Sequence, residues 1–181
     1  MHATYNESRL LNVMTALENI INLHLPKNDT RTLSDNQFRR LRAAVQETID
    51  QFLARESSLA TRPLLSEELS EKVIELQRRP IKRKWRSLAE QWEIPLDGLT
   101  PESIDEAISA RNSIVHEGVY YRPNVEQTDL WSHFTAIREL VIRVIFVAIG
   151  FKGRYISHHG GYHWATFPPA STSSESQSAP A

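Results

Sequence analysis

The sequence predicts an all-α protein: a helical bundle of about five main helices followed by a disordered C-terminal tail. Three observations lead there. Only six of the 181 residues are glycine, while Leu, Ile, Ala, Glu and Arg recur throughout. Apolar residues return every three or four positions along most of the chain. Helix start and stop signals also bracket those periodic stretches.

In the first stretch, Leu10, Val13, Met14, Leu17, Ile20 and Ile21 follow helical spacing until Pro26 closes it, which predicts a helix over 7–25. Ser34, three residues before Gln37, makes a capping box, and Phe38, Leu41, Val45, Ile49 and Phe52 then form a stripe reaching about Ala54. A third helix is expected from Ser66, with Leu69, Val73 and Leu76 inward, until Pro80 breaks or kinks it. Ile81, Trp85, Leu88 and Trp92 continue as a further stripe up to Pro95.

Thr100-Pro101-Glu102 combines a hydroxyl N-cap, a proline whose missing N–H costs nothing there, and an acid at the positive helix end. The helix it opens carries Ile104, Ile108 and Val115 inward and stops at Gly118. Val119 to Gln127 reads as loop. Thr128-Asp129 caps a last long helix whose Leu130, Phe134, Ile137, Val141, Val144, Ile145 and Ala148 make a broad apolar face ending near Gly150. Its second half is apolar almost all round, as in a central helix or one shared with a partner subunit. One helical domain is expected over 1–165, and a disordered Pro/Ser/Thr-rich tail over 166–181.

Composition narrows the function classes. Without cysteine there is no disulfide, thiolate zinc site or cysteine nucleophile, which fits a reducing compartment such as the cytoplasm. The start of the chain does not read as a secretory leader, and the apolar run from Val144 to Phe151 falls far short of the roughly 20 residues that span a bilayer. A net charge of −1 gives no long-range pull on a polyanion, so any nucleic-acid contact must be local. The sequence contains no G-x-x-x-x-G-K, G-x-S-x-G, H-E-x-x-H or G-x-G-x-x-G motif.

The densest concentration of chemistry is Ser109-Ala110-Arg111-Asn112-Ser113-Ile114-Val115-His116-Glu117-Gly118. Asn112 and His116, four apart, share a helix face, whereas Arg111 and His116, five apart, diverge by roughly 140°. One copy therefore does not gather all three, but two copies meeting across a symmetric dimer would. Arg111 supplies a permanently charged fork for phosphate oxygens, His116 a proton acceptor or donor near neutrality, and Asn112 an orienting amide. A structural alternative pairs Arg111 with Asp105, Glu106 or a neighbouring acid and makes His116 a capping or satisfied core residue near the helix end.

The Arg-Asn-x3-His block resembles the signature of the HEPN superfamily. Thr15-Ala16-Leu17-Glu18, His116-Glu117-Gly118 and Gly150-Phe151-Lys152-Gly153-Arg154-Tyr155 are similar to the Apea-like HEPN group, a resemblance covering most of residues 5–156. It implies an all-helical homodimer that cleaves RNA without metal or other cofactor. The implied catalytic residues are Arg111, Asn112 and His116, and the implied role is bacterial defence or a toxin-like one, with an antitoxin or sensor domain as possible partner. Many members of the group carry an additional all-β domain, so the chain is expected to be an excised or reduced form. The alternative is a non-catalytic HEPN module that binds RNA, nucleotide or a protein partner.

A second cluster, Arg78, Arg79, Lys82, Arg83, Lys84 and Arg86 around Pro80-Ile81 and Trp85, places six cations in nine residues and is the candidate RNA-backbone groove. There Trp85 either stacks a base or faces the core with the cations as a solvated helix face. His158, His159 and His163 lie close in sequence but lack a nearby carboxylate set, so no metal site is expected. Tyr120, Tyr121 and Arg122 are expected to pack the loop after the motif helix.

Overall fold

The computed structural model describes residues 2–55, 62–121 and 128–169. Their elements run, in order, α1 (His2–His24), α2 (Lys27–Thr30), α3 (Asp35–Arg55), α4 (Arg62–Glu75), α5 (Ile81–Gln91), α6 (Pro101–Glu117), α7 (Leu130–Ile149), β1 (Gly153–Ser157) and β2 (His163–Phe167). The chain is mostly helical. Among the described residues there are six long helices and the four-residue α2, one more long helix than the five expected.

The residues form two compact units: one comprises 1–20 and 89–181, the other 21–88. Charge segregates between them. Residues 21–88 carry 14 basic and nine acidic side chains, and the remaining residues carry seven and 13, so a near-neutral chain contains a basic unit and an acidic one.

In the first unit, α6 packs on α7. Ile104, Ala107, Ile108 and Ala110 of α6 are buried, as are Ala136, Ile137, Leu140, Val141 and Val144 of α7. Thr100 caps α6 as its sequence dictates, its Oγ1 accepting the Ser103 N–H at 3.1 Å. Gly118 stops the helix in the left-handed region at φ 75°, where a side chain would be strained. Val115, expected inward, is 49 % exposed because the helix is by then in its last turn.

The C-terminal end departs from the all-α expectation. β1 and β2 pair antiparallel, with Gly153 opposite Phe167 and Ser157 opposite His163. Phe146 of α7 anchors them, its ring lying 4.2 Å from Phe151, 5.1 Å from Tyr155 and 5.2 Å from Phe167, centroid to centroid. The tail expected from 166 therefore begins too early, since residue 166 lies within β2 and Phe167 is buried. Residues 170–181 lie outside the described residues.

In the second unit α3 packs on α4. The capping box at Ser34 forms: the Ser34 N–H donates to Gln37 Oε1 at 3.1 Å, and the Gln37 N–H to Ser34 Oγ at 3.4 Å. The α3 stripe is inward only in part. Phe38 and Leu53 are buried, whereas Leu41 and Phe52 are exposed, and Phe52 lines an apolar groove with Ala44, Val45, Thr48, Ile49 and Leu69. The helix expected from Ser66 starts at Arg62 and ends at Glu75, ahead of Pro80. Residues 30–32 and 77–79 then run antiparallel, with Thr32 N–H donating to Gln77 O and Arg79 N–H to Thr30 O.

Candidate active site

α6 presents the Arg-Asn-x3-His block along its C-terminal half. The Arg111 guanidinium donates to Asn112 Oδ1 at 3.2 Å, so the two neighbours act as one polar group. Its other arm lies 3.4 Å from Glu18 Oε1 on α1, so the guanidinium pairs with a neighbouring acid, as the structural alternative expects, though not with Asp105 or Glu106 of its own helix. The Arg111 side chain retains 26 % of its accessibility and Glu18 32 %, so a solvent-borne anion can still reach the fork. His116 lies in the exposed last turn of α6. The structure thus joins Arg111, Asn112 and Glu18, and leaves His116 open to solvent at the helix end.

Glu18 falls within the Thr15-Ala16-Leu17-Glu18 stretch of the resemblance, but sequence reasoning does not make it a partner of Arg111; it stands on the half-buried border of α1 beside buried Met14 and Leu17. A carboxylate there fixes the direction of the Arg111 fork while weakening its positive field. An incoming phosphate would compete with it for the same N–H groups.

After Gly118, Tyr120 turns inward while Val119 and Tyr121 stay exposed. Tyr120 is buried, and its hydroxyl donates to the Thr128 carbonyl at 2.7 Å and lies 2.9 Å from His133 Nε2. With the Tyr120 proton committed to Thr128, the His133 ring nitrogen is the donor, which places a proton on Nε2. Burial lowers the His133 pKa below its ordinary value of 6.5, against the pull of Glu106 and Asp129, and raises that of Tyr120. Tyr121 adds a bond to Asp129 Oδ1 at 3.2 Å. Tyr120 and Tyr121 thus bond to residues at the start of α7, while the rest of the loop they are expected to pack, Arg122 included, lies outside the described residues.

The basic run belongs to the unit formed by 21–88. Trp85 is only 2 % exposed, so it cannot stack a base; the α5 cations occupy the rest of the helix circumference. Arg78, Arg83 and Arg86 are exposed. Arg79 lies 3.9 Å from Asp29, and Lys84 Nζ donates to Asn22 Oδ1 at 2.9 Å, so those two are partly committed within the unit. Lys82 is half-buried. The isolated bridge between Arg31 and Arg78 adds Arg31, itself ion-paired with Asp35, to the same neighbourhood.

The three C-terminal histidines point to separate partners. His159 Nε2 meets the Gly98 carbonyl at 2.8 Å, His163 Nδ1 meets the Gly161 carbonyl at 2.9 Å, and His158 stands edge-on to Tyr162. Among the described residues no group of three or more His, Asp or Glu side chains is arranged to hold a metal ion.

A different polar centre, missed from sequence, lies under the hairpin. Glu139 is 1 % exposed. Its Oε1 accepts from Arg143 Nε at 3.1 Å and from the Tyr155 hydroxyl, and its Oε2 accepts from Ser157 Oγ at 2.9 Å. Arg143 donates a further bond to the Pro95 carbonyl at 2.9 Å. Burial, and then the bond to Glu139, push the Tyr155 hydroxyl up to about 12. Every buried charge here has a partner, so the cluster ties β1 to α7 and is closed to substrate.

Known protein families, curated proteins and solved structures gave no match to this chain. No helix among the described residues is long and apolar enough to cross a membrane.

Proposed function

We propose that the chain is a HEPN-type, metal-independent endoribonuclease acting as a homodimer on RNA in a bacterial defence or toxin-like role. One observation carries this reading: Arg111 and Asn112 form a hydrogen-bonded pair still open to solvent, with His116 exposed on the last turn of the same helix. A site sealed beneath neighbouring helices would have removed it. The resemblance of the Arg-Asn-x3-His block supplies the reaction class and the biological role.

In the proposed reaction a ribose 2′-oxygen attacks the adjacent phosphorus, and the bond from phosphorus to the 5′-oxygen breaks. The 2′-hydroxyl proton passes to a neutral His116 imidazole. A protonated His116 from the second subunit returns a proton to the leaving 5′-oxygen. Arg111 binds the non-bridging oxygens as their charge grows, exchanging its contact with Glu18 for phosphate. Asn112 holds the guanidinium plane. Because the nucleophile belongs to the substrate, the reaction requires no metal and spares DNA. Arg78, Arg79, Lys82, Arg83, Lys84 and Arg86 are proposed to hold the RNA backbone through phosphate contacts, with affinity falling as salt rises.

The test is incubation of the full chain with structured and single-stranded RNAs, with and without a chelator. Fragments bearing 2′,3′-cyclic phosphate and 5′-hydroxyl ends, unchanged by chelator and lost in folded Arg111→Ala and His116→Ala, are expected. Cleavage abolished by chelator, or retained in both variants, would overturn the proposal. RNA binding without cleavage, unaffected by His116→Ala, would mark a non-catalytic binding module instead.

A further inference from the structure

A second site lies in the first unit, built by elements that the cleavage chemistry does not use. On α7, Trp131, Phe134 and Arg138 stand at i, i+3 and i+7, which places them on one face. On α1, Tyr5 and Arg9 stand one turn apart, with Arg9 donating to the Tyr5 hydroxyl. The turn between β1 and β2 contributes His158. Together Arg9, Trp131, Phe134, Arg138 and His158 line a cavity of about 280 Å³.

The chemistry of the lining is specific. The Arg9 guanidinium lies 4.0 Å from the Tyr5 ring centre, 5.5 Å from that of Trp131 and 5.7 Å from that of Phe134. The Trp131 and Phe134 rings lie 5.3 Å apart, and Trp131 keeps 39 % of its surface open. Among the described residues neither Arg9 nor Arg138 is ion-paired with a carboxylate. Arg111 and Arg143 of the same unit do have acid partners, whereas the exposed Lys152 and Arg154 of the hairpin, like Arg9 and Arg138, have none among the described residues. Two uncompensated guanidiniums and an imidazole around two aromatic rings call for a ligand that joins an anion to a planar ring.

We infer that this cavity binds a nucleoside monophosphate unit, with the phosphate between Arg9, Arg138 and His158 and the base against Trp131. Guanidinium forks match phosphate oxygens in pairs, and an indole face stacks any base. At about 280 Å³ the cavity lies at the small end of ligand pockets, which run from roughly 300 to 1,000 Å³, so it has room for one nucleotide at most. The same chemistry is presented by a free mononucleotide and by one nucleotide of a longer strand.

The site is independent of Arg111 and His116, and its test requires no cleavage. AMP is titrated calorimetrically into the full wild-type chain and into Arg138→Gln, Trp131→Leu and, as a control for general charge, Lys152→Gln. Saturable AMP binding is expected, weakened at least about tenfold in Arg138→Gln and Trp131→Leu and unchanged in Lys152→Gln, with adenosine and inorganic phosphate each binding more weakly than AMP. A 2′-O-methyl tetraadenylate with a 5′-phosphate separates the sources. Tighter binding than AMP, lost in the same variants, assigns the site to a strand, and equal or weaker binding assigns it to the free nucleotide. Absence of AMP binding at millimolar concentration, or AMP affinity unchanged in Arg138→Gln, would overturn the inference.

Discussion

Glu18 and Arg111 face each other across α1 and α6 at 3.4 Å, with about a quarter to a third of each side chain still exposed. Such a pair contributes little to stability, on the order of 0–1 kcal/mol, because water screens it and two long side chains lose freedom to make it. Its consequence is for the guanidinium. While Glu18 is charged, part of the Arg111 hydrogen-bonding capacity is occupied.

Glu18→Gln is therefore expected to change the unfolding free energy by less than about 1 kcal/mol. Under the proposed function it also tightens RNA binding at low salt, by about fivefold at most. Urea denaturation and a filter-binding titration check the two halves. A large loss of stability would mean that the pair is more deeply desolvated than its exposure indicates.

The buried cluster under the hairpin behaves in the opposite way. Glu139→Ala leaves Arg143 with its charge buried and its carboxylate gone, and is expected to destabilise the fold by about 3–5 kcal/mol. Tyr155→Phe removes one bond to the same carboxylate and is expected to cost about 1.5–3 kcal/mol. Chemical denaturation of both variants should preserve that order.

His133 and Tyr155 give the stability of the fold opposite dependences on pH. The folded state holds the His133 pKa below 6.5, so between the two values the unfolded chain binds more protons. Stability attributable to His133 is present above pH 6.5 and is lost as pH falls through the lowered folded value. For Tyr155 the sign reverses: its folded pKa of about 12 exceeds the ordinary 10.0, so stability present below pH 10 is lost as pH rises toward 12. Melting temperatures measured across pH should fall at both ends, and Tyr155→Phe should flatten the alkaline limb.

At the end of α6, Gly118 occupies the left-handed region with nothing within 4 Å of where a Cβ would stand. Gly118→Ala therefore adds backbone strain without a clash, about 1–2 kcal/mol. Gly118→Asn should recover part of that loss, because its short polar side chain tolerates the same conformation. Thermal unfolding of the two variants distinguishes strain from steric conflict.

Local signals make the helices legible in the sequence itself. The Ser34 capping box, the Thr100-Pro101 start and the Gly118 stop form as their chemistry dictates, because each is settled within four residues. What the sequence hides depends on distant neighbours. Leu41 and Phe52 continue an apolar stripe that α4 leaves uncovered, and spacing alone cannot reveal which part of a stripe has a partner. The hairpin has a signal in Arg154-Tyr155-Ile156-Ser157 and Trp164-Ala165-Thr166-Phe167 on either side of Gly160-Gly161, but two five-residue strands are marginal alone and are anchored by the Phe146 and Glu139 side chains of α7. In the candidate site, Arg111, Asn112 and His116 are legible as a motif. Glu18, 93 positions upstream of Arg111, is not legible as its partner.

The bonds from Tyr155 and Ser157 to Glu139 bear on where the chain can be cut. Trimming at Gly150, the natural-looking terminus of the last helix, would strand a carboxylate and a guanidinium beneath a surface stripped of its cover. Shortened versions intended for expression or crystallisation should retain everything through Phe167, and a protease that nicks the 158–162 turn should release no stable helical remnant.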